Sequence, residues 1–281
     1  MNDRFFAEKF IQTETGEIVY YSDLSFLNRP TIIFLHGLSS NHTTWIDAMV
    51  NLHEHNYNSI AWDMRGHGLS DKQKNKSLYN LSVFTQDLKQ IVYKEGVKKA
   101  IIVGYSYGGS IAMNYALKYP DDVTGLILIS ANHTNPFRYW KINFLTPLAY
   151  WFLNLLAFLL LWQKRKKYYY YQHGQSRGYW HSTWEGLNTM PLSVNIWLLM
   201  QFGLLDLRKE LNKIHIPTFI IRSKDDPFLT KTETSDMGKA IQNSEVITPK
   251  HASHFLATRS QEEITEIILN FLKLHANSNS Y

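Results

Sequence analysis

A serine flanked by glycines, placed between a buried strand and a helix, constrains this chain more than any other stretch. Gly104-Tyr105-Ser106-Tyr107-Gly108-Gly109 follows Ala100-Ile101-Ile102-Val103, a short β-branched run suited to a strand covered on both faces of a parallel sheet. Behind it, Ile111, Ala112, Tyr115, Ala116 and Tyr119 recur at helical spacing, and Pro120 marks the end. A serine at such a turn is held in a sharply bent backbone with Oγ raised above the sheet edge. Gly104 and Gly108 omit the side chains that would keep strand and helix apart. The competing reading is a glycine-rich connection that carries a serine by chance.

With 281 residues the chain can bury a large core as one α/β domain carrying an insertion. It contains no cysteine, which excludes disulfides, thiolate metal sites and cysteine nucleophiles and fits a reducing compartment. The net charge of +5 comes from scattered lysines and one dense cluster, Lys164-Arg165-Lys166-Lys167. A nucleic-acid binder shows a broader basic face, so no nucleic-acid partner is expected and the cluster points toward an anionic surface such as a membrane. Met1 to Phe10 mix charge with aromatics and lack an apolar stretch of signal-peptide length. The expected location is cytoplasmic, with association to a membrane.

Strand and helix patterns alternate along the first half. Glu14-Thr15-Gly16 separates two short β runs, a hairpin at a sheet edge. Thr31-Ile32-Ile33-Phe34-Leu35 runs straight into His36-Gly37-Leu38, a second buried strand ending in a glycine turn. An acyl-transfer site needs two preorganised N–H donors for a developing oxyanion. Tyr107 would supply one amide and Leu38 the other. Residues 43–55 read as a helix and Ser59-Ile60-Ala61-Trp62 as the next strand. That strand leads into Asp63-Met64-Arg65-Gly66-His67-Gly68-Leu69-Ser70-Asp71, which is either a glycine-rich turn held by an Asp–Arg pair or a metal site on Asp63, His67 and Asp71. The turn explains the residues more simply, and no metal is expected. From Ser77 to Lys94, Leu81, Phe84, Leu88, Ile91 and Val92 form one helical face, with Asp87 and Lys89 placed outside it.

In this order and spacing the motifs resemble the α/β-hydrolase superfamily, in its serine-hydrolase branch of lipases, esterases and monoacylglycerol-lipase-like members. The resemblance covers residues 15 to 130 and 214 to 275. It implies a mostly parallel eight-stranded sheet covered by helices, with a helical cap inserted after the sixth strand, here Leu126-Ile127-Leu128-Ile129. The core would comprise residues 1–130 and 214–281 and the cap residues 131–213. It also implies a triad in the order Ser, acid, His. After the strand Thr218-Phe219-Ile220-Ile221 come Asp225 and Asp226; the family spacing points to Asp226, with Asp225 as competitor. After a last strand, Glu245-Val246-Ile247-Thr248, the base is His254, which resembles the family's Gly-His-aromatic signature with Ser253 in place of glycine; His251 is the alternative. A serine nucleophile sets the chain apart from the family's epoxide-hydrolase and dehalogenase branches, which attack with an aspartate.

The insertion is the distinctive part. Ile142 to Trp162 is a run of 21 residues without a charge, followed by the basic cluster and by Tyr168 to Tyr171, Tyr179, Trp180 and Trp184. A single membrane span there would tear one sheet in two, and Pro191 to Leu205, at 15 residues, is short for a second span. Three readings remain: an ordinary cap core, a lid that touches a membrane surface, and true insertion. The expected activity is hydrolysis of a carboxylic ester of a lipid or other medium-to-long acyl chain, without a cofactor. Carbon–carbon bond hydrolases and acyltransferases share the same triad, and a non-catalytic ligand receptor shares the fold.

Overall fold

A computed structural model describes residues 6–136, 147–162, 188–222, 226, 229–249 and 261–275. Its centre is an eight-stranded sheet in the order β1-β2-β4-β3-β5-β6-β7-β8. The strands are β1 (Ala7–Thr13), β2 (Gly16–Asp23), β3 (Thr31–Leu35), β4 (Asn58–Trp62), β5 (Ala100–Tyr105), β6 (Val123–Ile129), β7 (Thr218–Ile221) and β8 (Ser244–Ile247). β1 and β2 form the expected hairpin, and β2 runs antiparallel to β4. From β4 across to β8 every pairing is parallel. Parallel strands need long crossovers, and helices supply them: α1 (Ile46–Glu54), α2 (Leu81–Lys94), α3 (Tyr107–Lys118), α4 (Pro147–Leu159), α5 (Leu192–Phe202) and α6 (Lys231–Ala240), with α7 (Gln261–His275) following the last strand.

The period-two alternation of each strand feeds two cores. Ile33, Leu35, Ile102, Leu126, Leu128 and Ile220 face α2 and α3, where Leu88, Ile91, Ile111 and Met113 meet them. The intervening residues, including Ile32, Phe34, Ile101, Val103, Ile127, Ile129 and Phe219, face α1 and α7 through Met49, Leu52, Ile264, Ile268 and Phe271. Each such side chain contributes about 1.5–3 kcal/mol by leaving water, so both sheet faces must stay covered.

Helix starts follow local capping chemistry. Asn80 accepts from the Val83 amide at 3.1 Å, which moves the start of α2 from the expected Ser77 to Leu81; Lys76–Leu78 form a separate 3-10 turn. Thr230 and Glu233 close a reciprocal capping box on α6. The expected helix over residues 43–55 is a 3-10 turn, His42–Trp45, running into α1. Among the described residues no helix is long and apolar enough to cross a membrane.

Candidate active site

The turn from β5 into α3 puts Ser106 at φ 51° and ψ −117°, a left-handed conformation that non-glycine residues adopt only at a cost of about 1–3 kcal/mol. Two backbone hydrogen bonds hold it there. The Ser106 amide donates to Ile129 O at 2.9 Å, at the end of β6, and its carbonyl accepts from the Gly109 amide at 3.0 Å. The glycines around it are steric necessities. A Cβ on Gly104 would lie 2.6 Å from Gly109 Cα, and one on Gly108 would lie 2.4 Å from Leu35 O. α3 can therefore descend onto β3 and β5 only because both positions lack side chains.

The loop after β3 lies against this turn. β3 and β5 pair in register, Leu35 opposite Gly104, and a Cβ on Gly37 would stand 3.3 Å from Ser106 Cβ. The His36-Gly37-Leu38 loop thus borders the serine, with the half-buried Leu38 side chain packed on the core. Tyr107 opens α3, so its amide belongs to the first turn, which lacks intrahelical acceptors and carries the positive end of the helix dipole. The Tyr107 ring is buried edge-on between Phe84 at 5.9 Å and Phe202 of α5 at 5.1 Å.

The sequence from Asp63 to Ser70 turns out to be the brace for that loop. His36 is fully buried; Nδ1 donates to Gly37 O at 2.8 Å and Nε2 accepts from the Met64 amide at 3.0 Å. His67 does the same one layer out, donating from Nδ1 to Arg65 O at 3.1 Å and accepting from the Ser39 amide at 3.2 Å. These partners require both rings to be neutral. Accordingly, burial pushes the His36 pKa down to about 4 and that of His67 well below the ordinary histidine value.

Asp63 takes amides from His42 and Leu69, each at 2.8 Å, and His42 Nδ1 also lies 2.8 Å from its Oδ1. Burial alone would raise its pKa, but the attraction and hydrogen bonds of His42 outweigh it and hold the carboxyl well below the usual range. Gly68, at φ +45°, passes so close that a Cβ would meet the Asp63 carboxylate at 2.0 Å.

A family model described as "alpha/beta hydrolase fold" matches residues 30–257. The chain belongs to the α/β-hydrolase fold family. The hydrolase is 25% identical over 274 residues to "Epoxide hydrolase 3" of Xenopus tropicalis, covering 87% of this chain and 71% of that one. It is 24% identical over 294 residues to the "Bifunctional esterase/perhydrolase DCH" of Acinetobacter calcoaceticus, covering 94% and 99% of the two chains. A solved structure titled "Crystal structure of a membrane phospholipase A, a novel bacterial virulence factor" superposes with a TM-score of 0.76 at 21% identity, covering 98% of this chain and 88% of that one. At that identity the likeness is one of fold.

Of the expected site residues, Ser106, Leu38, Tyr107, Gly104 and Gly108 come together at the ends of β3 and β5. Asp226 follows β7, and its Oδ1 accepts from the Leu229 amide at 3.1 Å. His254, His251 and Asp225 lie outside the described residues. The candidate metal triad does not converge: Asp63 goes to His42, His67 to the loop, and Asp71 Oδ2 accepts from the Glu17 amide at 3.0 Å.

Two assignments are corrected in the hydrolase, the first being the Asp–Arg pair expected within the turn: Asp63 goes to His42 and Leu69, and Arg65 reaches out to Asp87. Asp87, placed outside the apolar face of α2, is buried and accepts two hydrogen bonds from Arg65, at 3.1 Å and 2.8 Å. Arg65 also donates to Thr15 O at 2.8 Å, tying the hairpin to the turn. The missed signal was spacing, since Asp87 is three residues after Phe84 and four before Ile91 and so lies on the buried stripe. Also unforeseen is Asn195 of α5, whose Oδ1 accepts from Ser39 Oγ at 3.2 Å. That contact links the segment between β6 and β7 directly to the loop beside Ser106.

Proposed function

We propose that the chain is a serine esterase whose nucleophile is Ser106. The observation that carries this is the strained serine at φ 51°, ψ −117°, held between two glycines beside the Gly37 loop. Structures retain such conformations where the surroundings over-determine them, and active sites are where they concentrate. In the proposed mechanism His254 takes the proton as Ser106 Oγ attacks the ester carbonyl, and Asp226 orients His254 and stabilises its cationic form. The amides of Leu38 and Tyr107 receive the oxyanion. His254 then returns the proton to the leaving alcohol, and water repeats the sequence on the acyl-enzyme. Every step uses side chains and amides, and none calls for a cofactor. Ser106 stands where the epoxide-opening branches would carry an aspartate, so we favour ester cleavage.

The substrate class is inferred from the segment between β6 and β7. We read residues 131–213 as a cap on a core formed by 1–130 and 214–281. α5 is buried along most of its length, with Val194, Trp197, Leu198 and Phe202 inward, and α4 has no charged residue. Such surroundings suit a lipid or other medium-to-long acyl ester such as a monoacylglycerol. Hydrolysis of p-nitrophenyl esters of increasing chain length tests this. The wild type should prefer long chains, and Ser106→Ala should be inactive on all of them. Equal inertness of both proteins on every ester would sink the reading and favour carbon–carbon hydrolysis, acyl transfer or ligand reception.

A further inference from the structure

The outer face of α4, continued by Trp162 in the turn after it, is apolar at helical spacing. Trp151, Phe152, Leu155, Phe158, Leu159 and Trp162 are all exposed, from 39% for Leu155 to 67% for Trp162. They recur at intervals of one, three and four residues, which makes them a single stripe. The opposite side of the same segment is already in use. Ala157 is fully buried, and Leu153, Leu156, Leu160 and Leu161 pack on the core. A stripe of this kind, concentrated in twelve successive residues, differs from isolated surface leucines and marks an interaction face.

Charge identifies the occupant. No Asp or Glu occurs from Val123 through Trp184, whereas that stretch holds Arg138, Lys141, Lys164, Arg165, Lys166, Lys167 and Arg177, seven cations against a whole-chain net of +5. Two lysines from another part of the chain border the stripe. Lys74 Nζ stands 5.6 Å over the Trp162 ring, and Lys76 Nζ lies 2.8 Å from Tyr150 Oη and 2.6 Å from Asn154 Oδ1. A second copy docking through the same stripe would bring Lys74 and Lys76 against their own counterparts. Bare aromatic rings bordered by lysines match an acyl–headgroup boundary, where the rings enter the hydrocarbon edge and the ammoniums meet phosphate.

We propose that α4 is an in-plane membrane anchor that docks the protein onto an anionic bilayer surface. At about 1.5 Å per residue its 13 residues reach about 20 Å, short of the roughly 30 Å hydrocarbon core, so the helix lies along the surface rather than across it. The proposal stands independently of the esterase reading, although it would bring the Ser106 site to a lipid supply.

The test is flotation of the full chain with phosphatidylcholine vesicles, with and without about a third phosphatidylglycerol. Wild type should float with the anionic vesicles, at least about tenfold more than with neutral ones, and added salt should weaken this. Phe158→Ser/Trp162→Ser should lose flotation while keeping the wild-type thermal unfolding midpoint, because both side chains are largely exposed. Lys74→Glu should reduce it as well. Failure of the wild type to float, or flotation of the double variant at the wild-type level, overturns the proposal. So does a dimer in vesicle-free sedimentation that the double variant abolishes, since the occupant would then be a second copy. Ser106→Ala should float like wild type; in the wild type itself, hydrolysis without docking counts against the anchor alone, and docking without hydrolysis against the esterase alone.

Discussion

His67 Nε2 accepts a hydrogen bond from the Ser39 amide at 3.2 Å, two residues beyond the glycine that borders Ser106. A buried ring on one strand-end loop therefore sets the backbone direction of the next. Replacing it by His67→Leu removes the acceptor while keeping apolar bulk. Turnover should fall about 10- to 100-fold as the Leu38 amide drifts from the oxyanion position, with KM changing by less than about threefold. A matched loss in both constants, or none, would show that the bond serves stability alone.

The strain at Ser106 has an opposite signature in stability. Ser106→Gly and Ser106→Ala both delete Oγ and should both abolish hydrolysis, yet only glycine relieves a φ of 51°. Against a strain of about 1–3 kcal/mol, glycine adds an unfolded-state entropy cost of about 0.5–1 kcal/mol. Calorimetry should place the Ser106→Gly melting midpoint a few degrees above that of Ser106→Ala, at roughly 2–4 °C per kcal/mol for a chain of this size.

Acid should destabilise the fold from near-neutral pH downward. His36 stays neutral in the folded state down to about pH 4, against the ordinary histidine value of 6.5, so between those limits the unfolded chain binds more protons. Stability is complete above pH 6.5 and is lost as pH falls toward 4, by up to about 3 kcal/mol from this one ring. His67 acts in the same direction. Urea unfolding at pH 7.5, 5.5 and 4.5 should show the loss, and His36→Asn should flatten part of the slope. An unchanged slope would move the effect to other groups.

The Arg65–Asp87 pair is buried on both sides. Arg65→Met or Asp87→Leu alone leaves an uncompensated charge and should cost about 3–5 kcal/mol, whereas the double variant should recover much of that loss. Additive losses in denaturant unfolding would mean that the two residues contribute separately.

Asp226 and Asp225 separate by charge-neutral substitution. Asp226→Asn should lower kcat by roughly 10³- to 10⁴-fold with little change in KM, and Asp225→Asn should stay within about threefold of wild type. The reverse result would reassign the acid.

Much of this was legible from residue order. The buried β-branched runs fixed the parallel strands because period and burial leave few alternatives, and Gly104-Tyr105-Ser106-Tyr107-Gly108 announced a turn that only those glycines permit. What escaped was polar burial. Asp87 looks like a surface residue until Arg65 is brought to it from 22 positions away, and nothing local in His42 indicates that its ring will face Asp63. Such pairs are created by the tertiary fold, whereas hydrophobic periodicity is local. The Asn195–Ser39 contact, spanning 156 positions, is the extreme case.

The strained turn also fixes an order in time. Its frame, from β3 to the Ile129 carbonyl that accepts from Ser106, leaves the ribosome before the whole segment that separates β6 from β7, and so before β7, Asp226 and His254. A growing chain thus holds the shaped Ser106 turn before the residues proposed to activate it have been made.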